Sequence, residues 1–150
     1  ATKDKKYLER AERIGDNYIY EILPNNGGKP CEKWNFTEKK CDLERTRLRD
    51  HGNEIIPGLV ELYNIEKINN SPRAKIYKKT IEKMLDELLK YRNNDGLFYI
   101  TTTDTKELTD NRSYVYYGYY LFYLLEGKTK YYEEINKTLQ NLPKYTNYKR

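Results

Sequence analysis

A chain of 150 residues is long enough for one domain with a real core, and the whole of 1–150 is expected to fold as one. Its 28 basic and 23 acidic residues are interspersed. The net charge of +5 therefore comes without a compact basic run or a nucleic-acid fingerprint, and no nucleic-acid partner is expected. Two cysteines outside any CxxC spacing and a single histidine make no zinc set, so neither metal nor cofactor is expected. The most apolar run, Tyr114 to Leu125, is too short and too tyrosine-rich to cross a bilayer, which excludes a membrane partner at this stage.

Tyrosine is the compositional oddity: 17 residues against three Phe and one Trp. A side chain that packs like a hydrophobe yet keeps a hydroxyl suits a cleft for sugars, which alternate CH faces with hydroxyls. Cys31 and Cys41 either close a small loop or stand as free thiols. Closure would imply an oxidising compartment and contribute about 2–3 kcal/mol. The chain starts at Ala1 with no signal peptide, and the Asn-x-Ser/Thr sites at Asn35, Asn69, Asn111 and Asn136 mean little in a chain this rich in Asn; a secreted or periplasmic location is expected, with a cytoplasmic one left open.

In chain order, Leu8, Ala11, Ile14, Tyr18 and Ile22 mark one face of a helix from about Lys5 to Ile22, ended by Pro24 and Asn25-Asn26-Gly27-Gly28. Lys29 to Cys41 has no periodicity and carries the sole tryptophan, Trp34, in a loop that reads as a lid on the core or a ligand platform. Next comes Leu48-Arg49-Asp50-His51-Gly52-Asn53-Glu54, running into Ile55, Ile56, Leu59, Val60, Leu62 and Tyr63 at helical spacing. Pro57 fits a first turn, so a helix beginning near Gly52 to Glu54 is favoured over an earlier start with a kink. That places the polar cluster beside unpaired amides and the positive end of the helix dipole.

Asn69-Asn70-Ser71-Pro72 breaks this helix, and Ser71 caps the next, with Pro72 at its first position. Tyr77, Ile81, Met84, Leu85, Leu88 and Leu89 form its buried stripe. Asn93-Asn94-Asp95-Gly96 is a turn, followed by a short extended segment near 97–103. Asp110 or Asn111 starts a helix through Tyr114, Tyr117, Leu121, Leu124 and Leu125; being apolar nearly all round, it is expected in the interior. After Gly127-Lys128-Thr129 a last helix carries Tyr131, Ile135, Leu139 and Leu142 and stops at Pro143. Apolar helices thus follow long polar loops, while amphipathic ones follow short turns. That alternation predicts an all-α fold of stacked helical hairpins with inner and outer layers, as a solenoid or a closed ring.

This layout resembles the alpha/alpha-toroid carbohydrate-active enzymes, the glycoside hydrolases and polysaccharide lyases built from helical hairpins. The resemblance lies in the Asp50-to-Leu59 entrance to an inner helix followed by Glu61-Leu62-Tyr63, in Asp95-Gly96-Leu97-Phe98-Tyr99, and in Asp110-Asn111-Arg112-Ser113-Tyr114 with the return turn Gly127-Lys128-Thr129-Lys130-Tyr131. It covers about Arg49 to Leu142. Five helices would make a half-toroid, a piece of a larger ring, or a unit that self-associates to cover its ends.

The resemblance implies a mouth where inner-helix N-termini converge, gathering Asp50, His51, Glu54, Asp110, Arg112, Tyr116 and Tyr117, with Trp34 above. Glycoside hydrolysis needs two carboxyl groups, one with a raised pKa. Carboxylates at helix N-termini stay ionised, so Glu54 and Asp110 suit a base or nucleophile, and no acid partner is evident. In a lyase, His51 or a tyrosine would take the sugar C5 proton while Arg112 stabilises the uronate. The plainer readings stand beside these: Asp50 and Asp110 as caps, Glu54 as a first-turn acid, His51 as a loop histidine and Arg112 as an ion pair. Three functions remain open on the sequence: a polysaccharide or oligosaccharide enzyme, a glycan-binding module with Asp50, Trp34, Arg112, Tyr116 and Tyr117 as contacts, and a hairpin scaffold for protein–protein interaction.

Overall fold

The computed structural model describes residues 4–42, 53–101, 103–108 and 113–145. Helix α1 (Lys5–Asp16) continues as a π-helical segment (Asn17–Ile22) and the short α2 (Leu23–Asn25). Strands β1 (Trp34–Asn35) and β2 (Lys40–Cys41) pair antiparallel, with Trp34 opposite Cys41. Then come α3 (Ile55–Ile68), α4 (Arg73–Leu88), α5 (Ser113–Glu126) and α6 (Thr129–Asn141), and the all-α expectation holds.

Two kinds of connection alternate. At one end α3 turns into α4 through Asn69–Pro72; Asn70 takes φ +52° and the Ser71 amide donates to the Glu66 carbonyl, closing the helix in a six-residue loop. Helix α4 starts one residue later than expected, with the Ser71 hydroxyl accepting from the Arg73 amide at 3.3 Å. At that same end α5 turns into α6 through Gly127, whose φ of +65° is one that residues with a Cβ rarely adopt.

Contacts fix the directions. Ile56 lies against Gly118, Tyr63 against Phe122, and Lys67 against Glu126, so α3 and α5 run parallel, side by side. Tyr131 meets Asp86 and Arg92 meets Glu134, so α4 and α6 are parallel too. In the neighbouring hairpin position α1 runs against α3, with Gly15 at Leu62 and Tyr77. The result is two layers, α3 and α5 in one, with α1, α4 and α6 in the other.

The core is the stripe read from α4 (Tyr77, Ile81, Met84, Leu85, Leu88) against Ile56, Leu59, Val60 and Tyr63 of α3 and Val115, Tyr119 and Phe122 of α5. Tyr119 and Tyr131 stack at 5.3 Å and Phe98 lies 6.1 Å from Tyr119, so aromatic rings fill the seam between the hairpins. Three buried phenols keep partners. Tyr119 donates to the Leu85 carbonyl, Tyr131 to Asp86 and Tyr77 to Asp16.

Three expectations are corrected. The first helix does not end before Pro24. The π-helical turns upstream end with the Leu23 amide reaching back to the Tyr18 carbonyl, and this wider spacing admits a proline that has no N–H to give. Leu8, Ala11 and Tyr18 pack against the core and Ile22 is buried, as the stripe predicts, while Ile14 is exposed and Gly15, Ile19 and Leu23 are buried beside them. Helix α5 is interior on one side only, since Tyr114, Tyr117, Tyr120 and Leu124 are exposed. On α6 it is Thr138, not Leu139, that turns inward, because it completes a polar knot around Arg92.

Candidate functional site

Parallel α3 and α5 both start at one end of the stack, where the opposed first helix, α4 and α6 finish, so the described parts of the connections, 26–42 with 53–54 and 89–101 with 103–108, leave from or lead to that end. Short turns close the opposite end. Loops freed from the core are where binding and chemistry concentrate in rigid scaffolds.

The second loop is held by Arg92, whose side chain is 4% exposed. Its Nε donates to the Gly96 carbonyl at 2.7 Å, Nη2 donates to the Glu134 carbonyl and to Thr138 Oγ1, and Nη1 pairs with the Glu134 carboxylate. The Asn93 side chain accepts from the Asp95 and Leu97 amides, forming the predicted turn. Isolated bridges, Arg92 to Phe98 and Tyr99 to Leu108, involve the segment expected to be extended near 97–103, which forms no strand among the described residues. Phe98 is fully buried among Tyr116 and Tyr119, so the loop is anchored to the core by a ring.

The first loop is closed by a Cys31–Cys41 disulfide, with a Cα separation of 5.9 Å. Trp34 is half-buried on the hairpin so formed, and Lys39 of the same hairpin reaches Glu21 of the π-helical segment at 3.9 Å.

Glu54 is exposed at the cap position of α3, which begins at Ile55 with Pro57 in its first turn, as the late start requires. Asn53 behind it is fully buried. Tyr18, in the π-helical segment, has its phenol pushed up by burial and then by the Glu54 charge, which sets Tyr18 beside the α3 entrance. Helical periodicity alone makes Tyr18 a core position; nothing in a stretch such as Asn17-Tyr18-Ile19-Tyr20 announces π geometry, though π turns gather at functional sites.

The two tyrosines proposed from sequence part company. Tyr116 donates to the Gly96 carbonyl at 2.8 Å and lies 2.9 Å from Thr138 Oγ1, which ties it to the Arg92 knot. Tyr117 turns to the exposed inner face of α3, donating to Glu61 at 3.2 Å, and that bond together with the Glu61 charge pushes its phenol up. Asp50, His51, Asp110 and Arg112 lie outside the described residues, immediately before α3 and α5 in the chain.

The opposite end is chemically closed. Glu126, 5% exposed, accepts from Tyr63 and pairs with Lys67 at 2.7 Å and with Lys78. Burial alone would raise its carboxyl, but those three donors together outweigh it and hold the group at about 2. Asp16 is saturated by Arg73 and Tyr77. Glu12 is pushed up by burial, against the pull of Arg73 and with the repulsion of Glu66. These charges hold helices together; beside Glu12, Glu66 is buried and its Oε1 has no hydrogen-bond partner among the described residues.

Among the described residues no group of three or more His, Cys, Asp and Glu is placed to hold a metal, and no helix is long and apolar enough to cross a membrane. Comparison with family models, curated proteins and solved structures returns no match.

Proposed function

We propose that this is a carbohydrate-active domain of toroid or half-toroid type, acting on a polysaccharide or oligosaccharide by hydrolysis or elimination at the end where the inner helices begin. The observation that carries the reading is the parallel pairing of α3 and α5. It directs two helix N-termini toward one end, and the sequence clusters Asp50 to Glu54 and Asp110 to Arg112 come just before those helices in the chain. Exposed tyrosines on the inner helices and Trp34 supply surfaces of the kind sugars stack on. In this reading Glu54 or Asp110 is the base or nucleophile, with His51 the proton acceptor and Arg112 the uronate clamp if the reaction is an elimination. Asp50, Trp34, Tyr116 and Tyr117 line the approach, Tyr116 acting through the loop it braces. The disulfide fits an oxidising compartment, outside the cell or in a periplasm.

A second reading, a non-catalytic glycan-binding or protein-binding scaffold, is favoured by the exposed stripe Tyr114, Tyr117, Tyr120 and Leu124, which a self-associating partner or further hairpins would cover. An array of neutral and acidic oligosaccharides, read for binding and for new reducing or unsaturated ends, separates the two. Lost turnover with retained binding in Glu54→Gln and His51→Ala supports the enzyme. Binding without turnover, abolished by Trp34→Ala, supports the module. Neither binding nor turnover on any sugar refutes both carbohydrate readings and leaves the protein scaffold.

A further inference from the structure

On the outer layer, between the end of the first helix and α4, lies a groove of about 570 Å³. Leu23, Pro24 and Ile76 form its apolar part, and Lys75, Lys79 and Lys83 stand along it. The three lysines sit one helical turn apart, in one row, and all are exposed. Like charges at this spacing repel, so a row of three is unfavourable unless something of opposite sign answers it.

Nothing in the described fold does. The acids around the groove are committed elsewhere: Asp16 to Arg73, Glu21 to Lys39, Glu82 to Lys128 and Lys130, and Glu87 to Lys90. Among the described residues none lies within ion-pair distance of Lys75, Lys79 or Lys83, although the neighbouring Lys78 is paired with Glu126. Ile76, 44% exposed, remains open to solvent beside this uncompensated row.

We infer that this groove is a docking site for an acidic amphipathic helix of a partner protein. The chemistry selects the occupant. A sugar would want aromatic faces, and the groove lining has none. A flat anionic membrane would meet the lysines but would not fill a recess. A helix laid along α4 matches both features: its carboxylates, repeating every fourth residue at about 6 Å of rise, face the lysine row in register, and aliphatic side chains on the adjoining stripe enter over Ile76 and Pro24. The site is on the outer layer and does not depend on the carbohydrate reading of the loop-bearing end.

The test uses the whole chain with its disulfide intact and a fluorescent four-turn peptide, leucine on one stripe and glutamate at every fourth position beside it, followed by anisotropy. Three probes are compared: this peptide, a scrambled peptide of equal composition, and an oligogalacturonate of equal charge. Expected are binding of the patterned peptide at least about tenfold tighter than the scrambled one, weakening with salt, and about tenfold loss in each of Lys79→Glu and Ile76→Gln. Both substitutions are at exposed helical positions, and far-ultraviolet circular dichroism confirms that the fold is retained. Equal binding of the two peptides, tighter binding of the oligogalacturonate, or loss with Lys79→Glu but not with Ile76→Gln would each overturn the proposal, since charge alone would then explain the contact.

Discussion

The parallel register of α3 and α5 can be tested at one atom pair. A Cβ added at Gly118 would come within 2.6 Å of Ile56 Cγ2, about 1 Å inside ordinary carbon contact. Gly118→Ala gains about 1 kcal/mol of helix propensity and loses about 1–3 kcal/mol to overpacking in a buried seam, so a net destabilisation of about 0–2 kcal/mol is expected. Ile56→Ala on its own removes a fully buried side chain and costs about 2–5 kcal/mol. Combined, the two relieve each other, because the truncated side chain at position 56 no longer carries the methyl that the new Cβ at position 118 would strike. The double variant is expected to be more stable than the sum of the singles by at least about 1 kcal/mol, well above the additivity limit of about 0.5 kcal/mol for sites that do not touch. Urea unfolding with shared slopes measures all four corners of the cycle. Additivity within that limit would mean that Gly118 does not meet Ile56, and the shared end for the two N-termini would be lost with it.

Three further outcomes follow from the described geometry. Glu126 is held at about 2 in the folded chain against an ordinary 4.5, so the stability it contributes is present above about pH 4.5 and is lost as pH falls through about 2; urea midpoints for Glu126→Gln should fall less over that window than those of the native chain. The disulfide closes a loop of sequence separation 10, and reducing it, or replacing both cysteines by Ala, should cost about 2.7 kcal/mol if the hairpin is part of the cooperative unit; a smaller loss would show that the hairpin opens independently. Burial, then bonds to Glu126, Asp16 and Asp86, pushes the phenols of Tyr63, Tyr77 and Tyr131 upward. Their contribution is intact below the ordinary phenol value of 10 and disappears as pH rises beyond it, so tyrosinate absorbance should show a class that ionises only with loss of near-ultraviolet dichroism.

What was legible in the sequence is what periodicity encodes. The α4 stripe stands out because six apolar positions recur at helical spacing between lysines and acids; five are buried, and the sixth, Leu89, is half-buried in the turn that follows α4. The late start of α3 was legible because Pro57 has only one comfortable place in a helix. Where the buried face is set by tertiary polar demands, periodicity misled: Arg92 needs Thr138, so the threonine turns in and Leu139 turns out. The exposure of Ile14 and the π-helical turns from Asn17 on were also invisible, because no special residue announces either. For the candidate site, the sequence placed Glu54, Tyr116 and Tyr117 on the inner helices, but not the different partners that Tyr116 and Tyr117 choose, since those depend on where Gly96 and Glu61 arrive from other elements.

The opposed directions of the two layers also set partial charges side by side. At the end where α3 and α5 begin, these two helices present amide hydrogens, while the first helix, α4 and α6, which finish there, present carbonyl oxygens. Antiparallel dipoles in neighbouring helices offset each other at a distance. Close to the two N-termini the offset is incomplete, and an anionic group would be drawn there by backbone alone, without any lysine being spent.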